Sequence, residues 1–307
     1  MLKTLFRPAM IVVPLVIGFF VPAAGNLAYE PYYVVRYNLV LMVFFAALGI
    51  KLQDLKLRRE HGLLLAANIL LGVVPFVVLR RIFPDDPALA QMVFFIGITP
   101  TAAASSVIIS LLNGRVGFSL TGFAVSNIGI ALAMLGLLPY TTGNFSAEFC
   151  ASVAQTIVLI IMLPVAMAQL CRKVFPAAVK LIPKFKMVSL YLWSLSLFIL
   201  AGVARQYFIA HPGESVRQAV LCGAVSLVCC AVNFTCGAWI ARKKFRRECS
   251  QLLGQKNTIF TVCLALAYAD ALAALGVTFY IVWHNSWNAT QLLMYDRRQK
   301  KRLSRQR

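Results

Sequence analysis

A lysine, an asparagine and a threonine, Lys256–Asn257–Thr258, stand inside the stretch LLGQKNTIFTVCLALAYAD, Leu252 to Asp270, which otherwise reads as apolar and membrane-spanning. A charged side chain at membrane depth is costly, and it faces protein, water or a ligand rather than hydrocarbon. An ammonium brings three donors and no acceptor, so chemistry at this spot must use oxygens. A second apolar run carries FIGITPTAAASS, Phe95 to Ser106, in which Gly97 and Pro100 precede Thr101, Ser105 and Ser106. Glycine and proline release backbone groups that lipid leaves unpaired, so such a break survives where protein, ions or substrate satisfy it. Thr101 and Ser105 on one break, with Asn257 and Thr258 on the other, are short donors beside freed helix ends, and helix N-termini attract anions. The plainer alternatives are a proline kink with small residues for close packing, and a Lys256 that snorkels to the interface near RKKFRREC, which lies a few residues upstream.

Elements long enough to place these residues follow from composition. The chain has 307 residues, 60% hydrophobic and 13% charged, with mean hydropathy +0.78, whereas an average soluble domain is about a quarter charged. An integral membrane protein is expected, in a cell membrane of the bacterial inner type. Runs of about 20 residues span hydrocarbon, and they fall near 8–25, 33–50, 62–80, 88–112, 116–139, 148–170, 187–208, 217–241, 250–267 and 269–293. The N-terminal run, after Lys3 and Arg7, also has the shape of a cleavable signal ending at Ala23–Ala24; it is read as the first span because the symmetry requires it.

The net charge of +20 is explained by orientation. With the N-terminus inside, 24 of the 30 Lys and Arg fall in cytoplasmic segments, such as Lys51 to Arg59, Arg172 to Lys186, Arg242 to Arg247 and the tail DRRQKKRLSRQR. Cytoplasmic loops carry this excess, so both termini are expected in the cytoplasm. Arg80 and Arg81 break the pattern beside Asp85 and Asp86. Nothing aromatic interleaves the basic tail, so it is read as an anchor that attracts anionic lipid and not as a nucleic-acid site. The eight cysteines include Cys222, Cys229 and Cys236 at seven-residue spacing; they are read as packing residues, with no metal or cofactor implied.

Five spans followed by five of opposite orientation make an inverted-topology repeat. The expected fold is an all-α membrane protein of ten transmembrane helices in two inverted five-helix repeats, 1–141 and 142–293, with a basic tail at 294–307. The fourth and ninth spans correspond, and both are interrupted, which is the sequence pointer to a transporter binding site.

The sequence resembles the bile acid:sodium symporter family. The resemblance rests on Pro100–Thr101–Ala102–Ala103–Ala104–Ser105–Ser106 with Leu112–Asn113–Gly114, and on Gly254 through Asn257, Ala265–Leu266–Ala267, Ala273–Ala274–Leu275 and Trp283–His284–Asn285. It implies that discontinuous helices 4 and 9 cross at mid-membrane in a core domain. A panel of helices 1, 2, 6 and 7 faces that core, with an organic anion between them. It also implies ion ligands. Sodium-coupled members carry a glutamate three positions before a glutamine in the ninth span; here Leu252 or Leu253 and Lys256 stand there. Asn257 matches, and the fourth-span Ser–Asn becomes Ser105–Ser106. Ser119 matches a hydroxyl ligand, Phe123 replaces a threonine, and Asn68 lies on the third span, where the family contributes a polar ligand.

The resulting expectation is a secondary transporter of a small organic anion, a carboxylate or sulfonate, bound by Thr101, Ser105, Ser106, Asn257 and Thr258. Coupling residues are Lys256, Ser105, Ser106, Ser119 and Asn68. Sodium coupling of the family type is not expected. Lys256 either replaces a sodium ion as a fixed charge or exchanges a coupling proton, so proton and sodium both remain candidate partners beside the anion and lipid. The alternative is a receptor or scaffold that keeps the fold without transport. No paired catalytic Asp, HExxH or Ser/His arrangement lies within reach of the midplane, so an enzyme is not expected; the related arsenite-exporter branch lacks support because the fourth-span break has no cysteine. His284 is read as part of an aromatic interfacial belt, Asp270 as a loop carboxylate, and Asn68, Asn127 and Asn233 as buried amides bonding between helices.

Overall fold

Glycine and proline decide where these helices stop and how closely they touch. A computed structural model describes residues 13–85, 87–210, 212, 215–241, 244–269 and 271–305. Among them every regular element is helical. A first helix, α1, covers 13–20. It is followed by α2 Val34–Leu48, α3 Arg59–Ile82, α4 Pro87–Ile98, α5 Ala104–Leu111 and α6 Val116–Thr142. α7, Ala147–Ile157, passes through a π-helical turn at Val158–Met162 into α8, Leu163–Val174. The wide turn lies just before Pro164, whose ring cannot sit against a regular preceding turn and which has no N–H to donate. α9 Ile182–Ala210, α10 Ser215–Ile240, α11 Arg246–Gly254, α12 Thr258–Tyr268 and α13 Ala271–Arg305 complete the chain.

By length and composition, five described stretches can cross a membrane: Arg59–Ile82, Val116–Thr142, Ala147–Val174, Val188–Ala210 and Val216–Ile240. Val34–Leu48, Pro87–Ile98 and Thr258–Tyr268 are apolar but shorter. The runs expected at 88–112 and 250–267 are therefore not continuous helices. Each is two helices separated by a short non-helical segment, after Ile98 and after Gly254. Asp86, Arg242, Lys243 and Asp270, together with Lys3, Arg7 and the start of the first run, lie outside the described residues.

The chain forms two compact units, and each takes residues from both 1–141 and 142–293. One unit comprises Met1–Gln53, Ala131–Leu221 and Cys263–Ala271. In it, α8 serves the end of α2. The last carbonyls of a helix have no intrahelical partner, and Gln169 donates to Ala47 O at 2.8 Å and to Ile50 O at 3.3 Å, while Arg172 donates to Leu48 O at 2.7 Å. Asn38 on α2 bonds the Ser196 hydroxyl of α9 at 3.1 Å.

The other unit comprises Asp54–Ile130, Cys222–Val262 and Leu272–Arg307, and it holds both breaks. α3 and α4 meet backbone to backbone: a Cβ on Gly97 would lie 2.2 Å from Leu71 O, and one on Gly72 would lie 2.9 Å from Ile98 N. Only glycines allow this approach, and it brings Asn68 on α3 to the end of α4. Phe94, Phe95, Ile98, Ile259 and Phe260, all at most 1% exposed, pack the surroundings. The eight cysteines are free thiols, and Cys222, Cys230 and Cys249 are buried.

Candidate functional site

Each break leaves peptide groups without helical partners, and each supplies partners to the other. Ala102 N donates to Gln255 O at 2.8 Å and Asn257 N to Pro100 O at 2.7 Å, an antiparallel bridge between Thr101 and Lys256. Buried backbone groups must be paired, so two irregular segments that satisfy each other can persist where either alone would not.

Side chains complete the pairing in a reciprocal way. The Thr101 hydroxyl donates to Leu252 O, in α11, at 2.5 Å. The Lys256 ammonium donates to Gly97 O, in α4, at 2.9 Å and also to Asn68 Oδ1. Each bridge residue thus reaches the final turn of the opposite half-helix, where carbonyls are unpaired and the helix carries partial negative charge. A threonine answers one end, and a cation answers the other. Asn68 binds three groups at that end, since its amide donates to Ile98 O at 3.3 Å and Thr99 O at 3.1 Å while its oxygen accepts from Lys256. Lys256 is 1% exposed, and its head turns into the protein rather than out to an interface.

Seven of the eight expected site residues, all but Thr258, fall into three bonded groups. Lys256 and Asn68 form the first. Thr101 anchors the second: its N–H donates to the Ser126 hydroxyl at 3.0 Å, and its carbonyl accepts from Asn127 at 2.8 Å, whose Oδ1 accepts from Asn257 at 3.5 Å. Ser105 and Ser106 form the third, both bonded to the Ser119 hydroxyl, at 3.5 and 3.3 Å. Among the described residues no hydrogen bond joins Lys256 to the three serines. Thr101, Ser105, Ser106 and Thr258 are buried. Asn257 is partly exposed, and on the other break Ala103 and Ala104, at the start of α5, are exposed. Of the five residues expected to touch an anion, Asn257 alone is not buried.

A cavity of about 10 Å³ lies within this unit, lined by His61, Leu64, Leu65, Asn68, Thr101, Gly122, Ser126, Leu252 and Leu253. That is room for about one water-sized sphere. Leu252 and Leu253 give it an apolar wall.

Ser126 and Tyr280 were missed from the sequence. The Tyr280 hydroxyl donates to Gly254 O at 2.8 Å and accepts from Asn233 at 3.2 Å, closing the end of α11 as Asn68 closes the end of α4. Ser126 has a visible signal, a Ser–Asn pair in the apolar run FAVSNIGI; Tyr280 in ALGVTFYIV has none. Asn68 and Asn233 each bond another helix, whereas Asn127, expected to bond between helices, bonds Thr101 and Asn257 in the non-helical breaks. His284 differs from its reading as an interfacial residue: it is 2% exposed, with its ring 5.4 Å from Tyr280, because its face of α13 turns inward.

Residues 37–211, more than half of the chain, match the family described as the Sodium Bile acid symporter family. The matched segment contains α4 and α5 and ends before α11 and Lys256. No curated protein matches the chain.

Proposed function

The chain belongs to the sodium bile acid symporter family, whose members are membrane transporters and not enzymes, and from that premise we propose that it carries a small organic anion by alternating access. Its ten spans form two inverted repeats, 1–141 and 142–293, with both termini and the tail 294–307 in the cytoplasm of a bacterial inner membrane. Transport is independent of sodium, and Lys256 supplies the positive charge in its place.

One observation carries this reading: a fully buried ammonium donates to Gly97 O and Asn68 Oδ1 where two broken helices meet. Carbonyl and amide oxygens at such a junction are hard donors of the kind that hold an alkali cation, and an ammonium uses the same donors while staying covalently attached. The apolar Leu252 and Leu253 walls and the replacement of a hydroxyl by Phe123 support the loss of a mobile ion. The anion then meets Asn257 and the first backbone amides of α5 at Ala103 and Ala104, where the helix end is positive. The buried hydroxyls of Thr101, Ser105, Ser106 and Thr258, with Ser119, shape the break.

The test is counterflow in proteoliposomes with carboxylate and sulfonate substrates, with sodium, with potassium and across pH. Sodium-independent exchange supports the fixed charge. A rate that follows pH under a proton gradient makes Lys256 a proton carrier instead, strict sodium dependence overturns the substitution, and ligand binding without counterflow identifies a receptor.

A further inference from the structure

Three cations meet over one aromatic ring, at the starts of three helices. The Cζ atoms of Arg58 and Arg115 and the Nζ of Lys244 lie 5.4, 4.8 and 5.6 Å from the ring centroid of Phe245. Phe118 stacks on that ring at 4.2 Å with the planes 11° apart, which occupies one of its faces. Phe245 is 1% exposed, while the three cations that cover it are exposed. Among the described residues none of the three forms an ion pair with a carboxylate.

The arrangement is held from beneath. His61 lies 4.2 Å from Phe118, centroid to centroid, and its Nδ1 accepts from Arg58 N at 3.2 Å, so its Nε2 donates to Phe118 O at 3.1 Å. The buried carboxylate of Glu248 accepts from the backbone N–H of Arg115 at 2.8 Å, and Arg247 donates to Leu112 O at 3.2 Å. Backbone and stack thus fix where the side chains start, while the charged heads lie over the ring on exposed residues. The three cations also stand at helix starts: Arg58 precedes α3, Arg115 precedes α6, and Lys244 and Phe245 precede α11. Positive helix ends add to positive side chains.

A ring face attracts each cation, but each also repels the other two. A bound anion turns that repulsion into attraction. Two guanidinium forks and one ammonium offer more donors than a carboxylate has oxygens, and they match the several oxygens of a tetrahedral phosphate group. We propose that Arg58, Arg115 and Lys244, above the Phe245 ring, form a binding site for a phosphate group, carried by an anionic lipid or by free phosphate. The site is independent of any role of Lys256.

The experiment uses the full chain. In detergent, its Tm is followed against inorganic phosphate with chloride at matched ionic strength; in nanodiscs, phosphatidylglycerol is compared with phosphatidylcholine. Phosphate is expected to raise Tm where chloride does not, and the variant carrying Arg58→Gln, Arg115→Gln and Lys244→Gln is expected to need about tenfold more phosphate. A control carrying Lys51→Gln, Lys173→Gln and Lys180→Gln keeps the wild-type response. Protection in both arms assigns the phosphate group itself; protection by phosphatidylglycerol alone assigns the lipid headgroup. If the triple variant does not fold, Arg115→Gln alone is expected to weaken the response about threefold. The site is overturned by a wild-type response in either variant, by an equal loss in the control, or by no response to phosphate and phosphatidylglycerol alike.

Discussion

At the residue scale, Lys256 brings a buried positive charge to the junction of the two breaks. Replacing it with methionine removes the donor to Gly97 O and Asn68 Oδ1, and an unpaired buried acceptor costs about 1–3 kcal/mol. The same change removes the desolvation cost of a buried charge, which offsets that loss. Lys256→Met is therefore expected to keep its fold, with Tm within about 5 °C of wild type, and to lose at least about tenfold in anion affinity, measured by binding to the purified protein. Near wild-type affinity would refute the charge substitution. Thr101→Val keeps shape but removes the hydroxyl from Leu252 O, and about 1 kcal/mol of stability should go with it, read from thermal unfolding. The lysine was conspicuous in the sequence because a cation in an apolar run needs a reason. Its partner carbonyl was not, because a backbone oxygen carries no residue-specific mark.

At the element scale, the two breaks depend on helices that approach unusually closely. Gly97 lies against the backbone of α3, and a Cβ there would sit 2.2 Å from Leu71 O. Gly97→Ala is expected to force α3 and α4 apart at a cost of about 1–3 kcal/mol. Because Asn68 is on α3 and Gly97 O on α4, the same shift pulls the ligands of Lys256 apart. Anion affinity should therefore fall more than in a variant of equal Tm altered away from the junction, and equal affinity in the two would separate packing from the site. The interruptions were legible in Gly97–Pro100 and Gly254, residues that weaken helices wherever they stand. The division of the expected ligands into separate bonded groups was not legible. Ser105 and Ser106 point to Ser119 only because α5 lies against α6, and nothing in the local sequence specifies that contact.

For the whole molecule, apolar runs and the family match agree on a membrane transporter. With the charge built into Lys256, uptake into proteoliposomes is expected to change by less than about twofold when potassium replaces sodium, since the ordering charge is already paired in the protein. A requirement for sodium in that assay would sink the reading. The partition into two units cuts across the sequence halves, with α3, α4, α5 and α11 in one and α2, α7, α8 and α9 in the other.

Helical content, membrane insertion and the two interruptions were available from the chain alone, since hydropathy, glycine, proline and charge act through immediate neighbours. Tertiary structure decided that the interruptions answer each other, that Thr101 caps α11 while Lys256 caps α4, and that three basic residues from separate connections meet over Phe245. Lys256 and Gly97 stand 159 positions apart. A hydrogen bond across that separation exists only after packing has brought the two half-helices together.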